Sequence, residues 1–364
     1  MKCTCSNCII RVDASEKIGT GHVIRCLSIA DFFKSKAINA IFLSRSGRIE
    51  RQIINRGFEI RILPENPTIM EELSFIEILM IERKIKLVLL DINNYGTFHD
   101  FNAYNLYLEN LRRLSLFVVS FEDFRDYPCT SDIVIIPYFG AKNIKLHKKS
   151  HCKYLLGPKY FVLREEFSKA NLVLVRKQIE SILVTMGGSD AEGITLKVLK
   201  AMGRTELGIS LKIVIGSFAQ ISDAVIKNLL SSYKGSYSII REANNMAQLM
   251  SESDIAVINS GLTKYETSAI GLPSIIISNN EYHSELMNDF AKYDTVCHLG
   301  PVNKVNKHQI TEAITCLAKD YKKRLQMSEA GKLLVDGNGI ERIFNEIPKE
   351  VIYVQKNTMS YKIQ

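Results

Sequence analysis

The chain has 364 residues, of which 46% are hydrophobic and 24% are charged, a composition typical of globular proteins. This length favours two domains of roughly 150 to 180 residues over a single core. No stretch reaches the ~20 apolar residues of a membrane-spanning helix. The net charge of +8 is too dispersed to indicate nucleic acid, although it favours a phosphate-bearing small molecule.

The N-terminal segment MKCTCSNCII contains Cys3, Cys5 and Cys8 but lacks the long apolar core and the small-residue cleavage site of a signal peptide. Structural zinc usually takes two separated pairs of Cys or His, and the remaining cysteines form no C-x-x-C pair. We therefore expect a cytoplasmic protein whose cysteines are reduced. A monomer is favoured, with the oligomeric state left open.

Short apolar runs alternate with amphipathic segments in the first half of the chain, the pattern of strands joined by helical crossovers. The predicted strands cover residues 8–13, 40–44, 58–63, 86–91, 116–121 and 132–137. The segment after His22 predicts a helix with one buried face, formed by Val23, Ile24, Leu27, Ala30 and Phe33. The basic run 143–154 is typical of a solvated loop, with a surface for anionic lipid as the alternative.

A second series of predicted strands covers residues 181–186, 211–216, 237–241, 255–259 and 273–278. The charged segment 163–180 is the natural linker, so we divide the chain into domains at 1–170 and 171–350 and a polar tail at 351–364. This pattern predicts an α/β protein with two doubly wound domains that face a cleft. In such sheets, ligands bind beyond the carboxyl ends of the strands.

The loop RVDASEKIGTGH follows the first strand, and its Gly19 and Gly21 permit close approach of a ligand. His22 then stands at a helix N-terminus, where the helix dipole disfavours the protonated ring and leaves a neutral base. A structural histidine is the alternative. Asp13, on the same loop, is expected to orient the ring, to contact substrate or to accept hydrogen bonds from loop amides. In the loop LLDINNYGT, Tyr95 is expected either to donate to a sugar or phosphate oxygen or to cover apolar surface.

Two loops of the second half are typical of anion binding. The segment VTMGGSDAEG predicts a diphosphate cradle at Gly187, Gly188 and Ser189, with a capped turn as the alternative. The segment INSGLTKYE predicts an anion-holding turn over residues 260–263. Glu266 follows one helical turn later, placed either for the hydroxyl pair of a ribose or for a capping box with Thr263.

Four segments together resemble one family: IRVDASEKIGTGHVIRCLSIAD, LLGPKYFVLREEF, VTMGGSD and NSGLTKYETSAIGLPSIII. They are similar, in order and spacing, to the UDP-2,4-diacetamido-2,4,6-trideoxy-β-L-altropyranose hydrolases of pseudaminic acid biosynthesis. These enzymes are relatives of the MurG-type glycosyltransferases. The resemblance covers roughly residues 8 to 300 and implies the GT-B architecture, in which two Rossmann-like domains hold the ligand between them.

By this resemblance, His22 is the general base that activates water against the anomeric carbon, with inversion and release of UDP. No metal or other cofactor is implied, because UDP leaves readily once backbone amides stabilise its charge. The residues expected to be catalytic are His22, Asp13 and Tyr95. Those expected to bind the sugar are Gly19, Gly21, Arg25, Asn280 and His283. The residues expected at UDP are Gly187, Gly188, Ser189, Met246, Ser260, Gly261, Leu262, Thr263 and Glu266.

The sequence departs from the family's pattern in three segments expected to line the sugar half of the cleft: DINNYG (91–96), VIIPYFGAKN (134–143) and SNNEYH (278–283). The departures leave the identity of the sugar open. Three functions fit the sequence: hydrolysis of a UDP-activated amino sugar, transfer of that sugar to an acceptor hydroxyl, and binding of a sugar nucleotide without turnover.

Overall fold

The computed structural model describes residues 6–14, 21–64, 66–92, 101–121, 130–141, 146, 152–203, 205–241 and 243–353. Within these residues the strands form two parallel sheets, one of seven strands and one of six. The predicted α/β class with two doubly wound sheets is confirmed. No helix in this part of the chain combines the length and the apolar character needed to cross a membrane.

The first sheet has the strand order β3-β2-β1-β4-β5-β6-β7, and its neighbouring strands are parallel. Because the order reverses between β1 and β4, the ends of these two strands form a crevice of the kind in which ligands bind. The strands are β1 Ser6–Val12, β2 Ile38–Ser44, β3 Glu59–Ile62, β4 Leu87–Asp91, β5 Phe117–Phe121, β6 Ile133–Ile136 and β7 Lys153–Leu156.

Helices cover both faces of this sheet: α1 Gly21–Ser35, α2 Glu50–Asn55, α3 Ile69–Arg83 and α4 Phe101–Arg113. Successive side chains of a strand point to opposite faces, so Ile10 joins the core with Phe33 of α1, whereas Ile9 joins the core with Ile76 of α3. The N-terminus of α3 is fixed by a capping box between Thr68 and Glu71.

The second sheet has the order β10-β9-β8-β11-β12-β13, again with parallel neighbours. Its strands are β8 Ser181–Thr185, β9 Ser210–Ile215, β10 Tyr237–Arg241, β11 Ile255–Asn259, β12 Ser274–Ser278 and β13 Val296–Pro301. Its helices are preceded by the short linker helix α5 Glu165–Ser168 and are α6 Ile194–Met202, α7 Asp223–Leu229, α8 Met246–Ser251, α9 Thr263–Ile270, α10 Glu281–Ala291, α11 Lys307–Lys319 and α12 Tyr321–Leu334.

The last two described helices return to the first sheet: α13 Gly339–Asn345 and α14 Lys349–Ile352. Ile343 and Ile352 belong to the same buried cluster as Phe33, and the ring of Phe344 lies edge-on to Phe32 at 5.5 Å. The chain therefore crosses between the two sheets twice, once in the linker and once before α13. The division of the domains near residue 170 stays a prediction.

The strands predicted from sequence begin and end within two residues of those in the structure, but β7 and β13 were missed. Both lie at the edge of a sheet. The edge strands β3 and β10 were predicted, so the difference lies in the local sequence: the apolar run of β7 (KYLL) is short, and that of β13 (VCHLGP) is interrupted by His and Gly. The end of the basic run 143–154, expected to be a loop, thus enters β7 at Lys153.

Candidate active site

His22 is the second residue of α1, and its imidazole Nδ1 lies 2.6 Å from Oδ1 of Asp91, the last residue of β4. Val12 of β1 pairs with Asp91 in the sheet, so the loop that carries His22 begins beside this carboxylate. The carboxylate that bonds to the ring is therefore that of Asp91. The sequence-based expectation that Asp13 orients the ring does not match this geometry.

Arg25 lies one turn further along α1 and donates two hydrogen bonds to the carboxylate of Asp91. They run from Nε to Oδ2 and from Nη2 to Oδ1, and each is 2.6 Å long. Burial by itself would raise the pKa of Asp91, but the charge of Arg25 and then His22 outweigh this effect and hold the pKa well below its usual range. An ionised Asp91 accepts the proton of Nδ1, which leaves the lone pair of His22 on Nε2.

Arg25 was expected to contact substrate. Its guanidinium borders the cleft, but the side chain is almost completely buried, stacks over the ring of Phe121 at 4.2 Å and binds Asp91. Arg25 therefore serves first to neutralise and fix Asp91.

Asp13 belongs to a different buried network. Its Oδ1 accepts bonds from Nη1 of Arg11 at 2.6 Å and from the backbone N–H of Arg45 at 2.9 Å. Arg11 also binds Glu72, whose Oε1 lies 2.7 Å from its Nε. Burial raises the pKa of Asp13, but the Arg11 charge outweighs it, so the net pKa is lowered. The network ties β1 to α3 and to the end of β2.

A cavity of about 360 Å³ lies between the carboxyl ends of the two sheets. The N-terminus of α1 forms one wall, where a side chain on Gly21 would come within 3.3 Å of Cδ1 of Leu262 from the second sheet's loops. The cavity is lined by Gly21, Ile24, Arg25, Phe161, Val162, Arg164, Thr185, Met186, Gly187, Gly188, Ser189, Val214, Ile215, Gly216, Ser217, Ala243, Met246, Asn259, Gly261, Leu262, Thr263 and Glu266. Most of the residues predicted to bind UDP thus face one cavity. Ile24, predicted to lie on the buried face of α1, instead borders it.

The Gly187–Gly188 loop is packed against the end of β9. A Cβ on Gly216 would lie 2.2 Å from the carbonyl oxygen of Gly187 and 2.5 Å from that of Gly188, so only glycine permits this approach. Asp190 accepts bonds from the backbone N–H groups of Ile194 and Thr195 at 2.8 and 3.0 Å. Asp190 thus satisfies the first N–H groups of α6, and residues 187–189 before it border the cavity.

Asn259 joins the two loops at the second sheet, and sequence reasoning missed it. Its Nδ2 donates to the carbonyl of Met186 at 2.7 Å, and its Oδ1 accepts from the N–H of Gly261 at 3.1 Å. The only sequence signal was a polar residue at the end of an otherwise apolar strand.

The turn 260–263 leads into α9 with Leu262 as the N-cap and no side-chain cap. The first N–H groups of the helix therefore lack side-chain acceptors, which is how helix N-termini bind anions. The hydroxyl oxygen of Ser260 is buried without a hydrogen-bond partner in the described structure, and Ser260 lies outside the residues that line the cavity. The alternative of a capping box between Thr263 and Glu266 is wrong, because Thr263 lies inside the helix.

Glu266 pairs instead with Arg164 of the linker, whose Nε lies 2.8 Å from Oε1. Both residues line the cavity. Met246, only 9% exposed, also lines it.

Lys264 is a second residue that sequence reasoning missed. Its Nζ donates to the carbonyls of Ser260 and Gly261 at 2.7 and 3.2 Å, and these two hydrogen bonds stabilise the turn. Burial lowers the pKa of Lys264 to about 8. Within the described chain no carboxylate lies within ion-pair distance of Nζ. A cation at the positive end of a helix dipole, without a counter-charge, favours an anionic ligand.

Asn280 is the N-cap of α10, and its Oδ1 lies 3.0 and 2.9 Å from the backbone N and the Nδ1 of His283. Burial and then the charge of Lys264 lower the pKa of His283. The structure places both residues together at the start of α10, outside the residues that line the cavity. Gly19 and Tyr95 lie outside the described residues.

Comparison with known proteins agrees with this architecture. Residues 181–343 match the family model described as the glycosyltransferase family 28 C-terminal domain. The structure is similar to that of Acinetobacter baumannii MurG, with a TM-score of 0.67 at 14% identity, covering 94% of this chain and 99% of that one. At this identity the likeness concerns the fold, which is the GT-B architecture of two Rossmann-like units.

Two curated proteins are similar over most of their length. The spore coat polysaccharide biosynthesis protein SpsG of Bacillus subtilis is 25% identical over 92% of this chain and 95% of its own. The uncharacterized protein MJ1062 of Methanocaldococcus jannaschii is 26% identical over 97% of this chain and 76% of its own. The similarity to both therefore extends through the two sheets and is not confined to the family 28 domain.

Proposed function

We propose that this protein is an enzyme that cleaves the anomeric C–O bond of a UDP-activated sugar, with His22 as the general base. Nε2 of His22 takes the proton of a hydroxyl nucleophile, whose oxygen bonds to the anomeric carbon. The bond from that carbon to the UDP oxygen breaks, and its electron pair leaves with UDP. Attack opposite the leaving group inverts the anomeric centre.

The observation that carries this proposal is the His22–Asp91 pair, held at 2.6 Å beside a cavity that is also lined by the start of α9. A base needs a neutral ring of one tautomer, and an ionised carboxylate on Nδ1 selects it. The leaving group needs charge stabilisation, which fixed N–H groups supply at little reorganisation cost.

In this proposal UDP occupies the cavity with its diphosphate between the loop 187–189 and the turn 260–263. Lys264 adds positive charge behind that turn. Oε2 of Glu266, the oxygen not bonded to Arg164, accepts from the ribose hydroxyls, and Met246 lies against the uracil.

We propose that the nucleophile is an acceptor hydroxyl, which makes the protein a glycosyltransferase. The match of residues 181–343 to a glycosyltransferase domain supports this choice, as does the MurG-like fold. The relative SpsG is named for polysaccharide biosynthesis, which fits an enzyme that handles activated sugars.

Hydrolysis is the second candidate, and the sequence block at residues 10–31 favours it. That block, with its G-x-G-H loop, resembles the UDP-diacetamido-trideoxy-altropyranose hydrolases of pseudaminic acid biosynthesis. In this case water replaces the acceptor, and the products are UDP and the free sugar.

The deciding experiment incubates the protein with a panel of UDP-linked sugars, including diacetamido sugars, with and without acceptor alcohols. UDP release is measured, and the anomeric configuration is read by NMR. Release only with an acceptor supports transfer, and release into water alone supports hydrolysis. Binding of UDP without release in any mixture refutes both.

The matched variants are His22→Ala and His308→Ala. His22→Ala is expected to lower kcat by about 10²- to 10⁴-fold while UDP binding persists, because the base does not hold the nucleotide. The side chain of His308 on α11 is exposed, and its replacement is expected to change neither kcat nor UDP binding. A His22→Ala enzyme with near-wild-type kcat removes the base assignment.

A further inference from the structure

Tyr138 and Phe139 follow β6 of the first sheet and contact both units of the protein. Tyr138 packs against a buried core of the first sheet and also against a core of the second. Phe139 packs against the second alone, with its ring edge-on to Phe290 at 5.4 Å and to Tyr293 at 4.6 Å, both on or directly after α10. We call this dipeptide the strap.

One end of the strap contacts the residues that orient the base. Nη1 of Arg25 donates to the hydroxyl of Tyr138 at 3.1 Å, while Nε and Nη2 of the same guanidinium hold Asp91. A guanidinium is a rigid planar fork, so its position at one nitrogen sets the position of the other two. Tyr138 therefore helps to place Asp91, and through it the ring of His22.

The other end of the strap contacts the helix that begins at the turn 260–263. The backbone N–H of Phe139 donates to the hydroxyl of Tyr265 on α9 at 3.1 Å. Tyr265 is 1% exposed and stacks on Phe161, a residue of the cavity wall, with ring centroids 4.1 Å apart. The helix that starts at the proposed diphosphate turn is thereby joined to the strap by a partly buried hydrogen bond.

We infer that the strap is a positioning device that aligns the His22–Asp91–Arg25 cluster with the nucleotide-binding unit. A movement of α9 or α10 shifts Phe139, which shifts its neighbour Tyr138 and hence Arg25. The inference rests on the proposed function, since it assumes a base on one unit and UDP on the other. Tightly packed contacts of this kind transmit small displacements because cores do not deform continuously.

Three variants separate positioning from packing. Tyr138→Phe removes only the hydroxyl that accepts from Arg25, and Phe139→Ala removes the ring held by α10. Phe344→Ala is the matched control, because it deletes a similar edge-to-face contact at 5.5 Å from Phe32, on the other core of the first sheet. We expect both strap variants to lower kcat by about fivefold to thirtyfold, with the Kd for UDP unchanged. The control is expected to lower the melting temperature and leave kcat as it was.

The inference also demands that the strap act through His22. In a His22→Ala background, the strap variants are therefore expected to have no further effect on the residual rate. A parallel loss of UDP affinity and kcat, or an equal further loss without His22, overturns the inference.

A second measurement does not depend on turnover. The imidazole NMR signals of His22 are followed while uridine monophosphate is added. This nucleotide keeps the uracil, ribose and α-phosphate but lacks the β-phosphate and the donor sugar. We expect the His22 signals to shift in the wild type and to stay fixed in Phe139→Ala. If the wild type binds uridine monophosphate but the His22 signals do not shift, the inference about the strap is overturned and the proposed function stands. If the wild type binds neither UDP nor uridine monophosphate, the proposed function is overturned.

Discussion

Replacing Asp91 by Asn tests the proposed base most directly, since the side chain keeps its size and loses its charge. An amide at this position donates to Nδ1 of His22 in one of its two orientations, across the 2.6 Å that Oδ1 now spans. The ring proton then moves to Nε2, the nitrogen that must accept the proton of the nucleophile. A general base contributes about 10²- to 10⁴-fold to a rate, and we expect kcat to fall within that range.

The same change weakens the fold, because Arg25 loses the charge that faces its buried guanidinium. Removing one partner of a buried ion pair costs about 3–5 kcal/mol of unfolding free energy. The Asp91 carboxyl has a lowered pKa, so its contribution to stability is present above the pKa of the unfolded chain. That contribution is lost only as the pH falls through the folded value. The wild type should therefore become less stable in acid, and Asp91→Asn should show less of this dependence.

A matched variant separates stability from catalysis. Glu72 is fully buried and lies 2.7 Å from Nε of Arg11, but in the described structure it makes no contact with His22. Glu72→Gln is thus expected to lose a similar free energy of unfolding and to keep kcat within a few-fold of the wild type. UDP release at saturating donor and thermal melting are the two assays. Equal losses of kcat in the two variants, or an Asp91→Asn enzyme near wild-type kcat, would refute the reasoning.

Three further predictions concern the second unit. The affinity for UDP should fall as the pH rises through about 8, because the diphosphate favours the charged form of Lys264, whose pKa is lowered to about 8. Calorimetry should record proton uptake, and Lys264→Met should bind more weakly with no such slope, so a persisting slope contradicts the assignment. Gly216→Ala should cost about 1–3 kcal/mol of stability through steric overlap and weaken UDP binding, whereas Gly47→Ala, where a Cβ meets nothing within 4 Å, should do neither. Glu266→Gln should raise KM for the donor with kcat little changed, measured by UDP release; a fall in kcat alone would argue against a ribose contact.

Much of the architecture was predictable because it depends on local pattern. Buried parallel strands are continuous apolar runs, so the central strands of both sheets appear directly in the sequence, as does the amphipathic α1. Glycine-rich turns at strand ends marked the loops at 187–189 and 260–263, which the structure brings to one cavity. The edge strands β7 and β13 were missed because their apolar runs are short or interrupted, as in KYLL and VCHLGP.

The details of the candidate site depended on which strands become neighbours, and nothing local encodes this. Asp13 and Asp91 both end apolar strands, and the sequence favoured Asp13 because it is nearer to His22 along the chain. Pairing of β1 with β4 brings Asp91 to the imidazole of His22, while Asp13 accepts hydrogen bonds from Arg11 and Arg45. The role of a buried carboxylate depends on the cation that compensates its charge, and that partner is fixed only in the folded chain.

The sequence by itself thus determined the two α/β units, the glycine-rich loops that line the cavity and the position of His22 at a helix start. Only the tertiary structure decided that Asp91 and Arg25 orient His22, that Arg164 pairs with Glu266, and that the strap joins the two units. The physical reason is range: hydrophobic periodicity and turn chemistry act between residues close in sequence. Charge compensation in a buried site acts between residues that only the fold brings together.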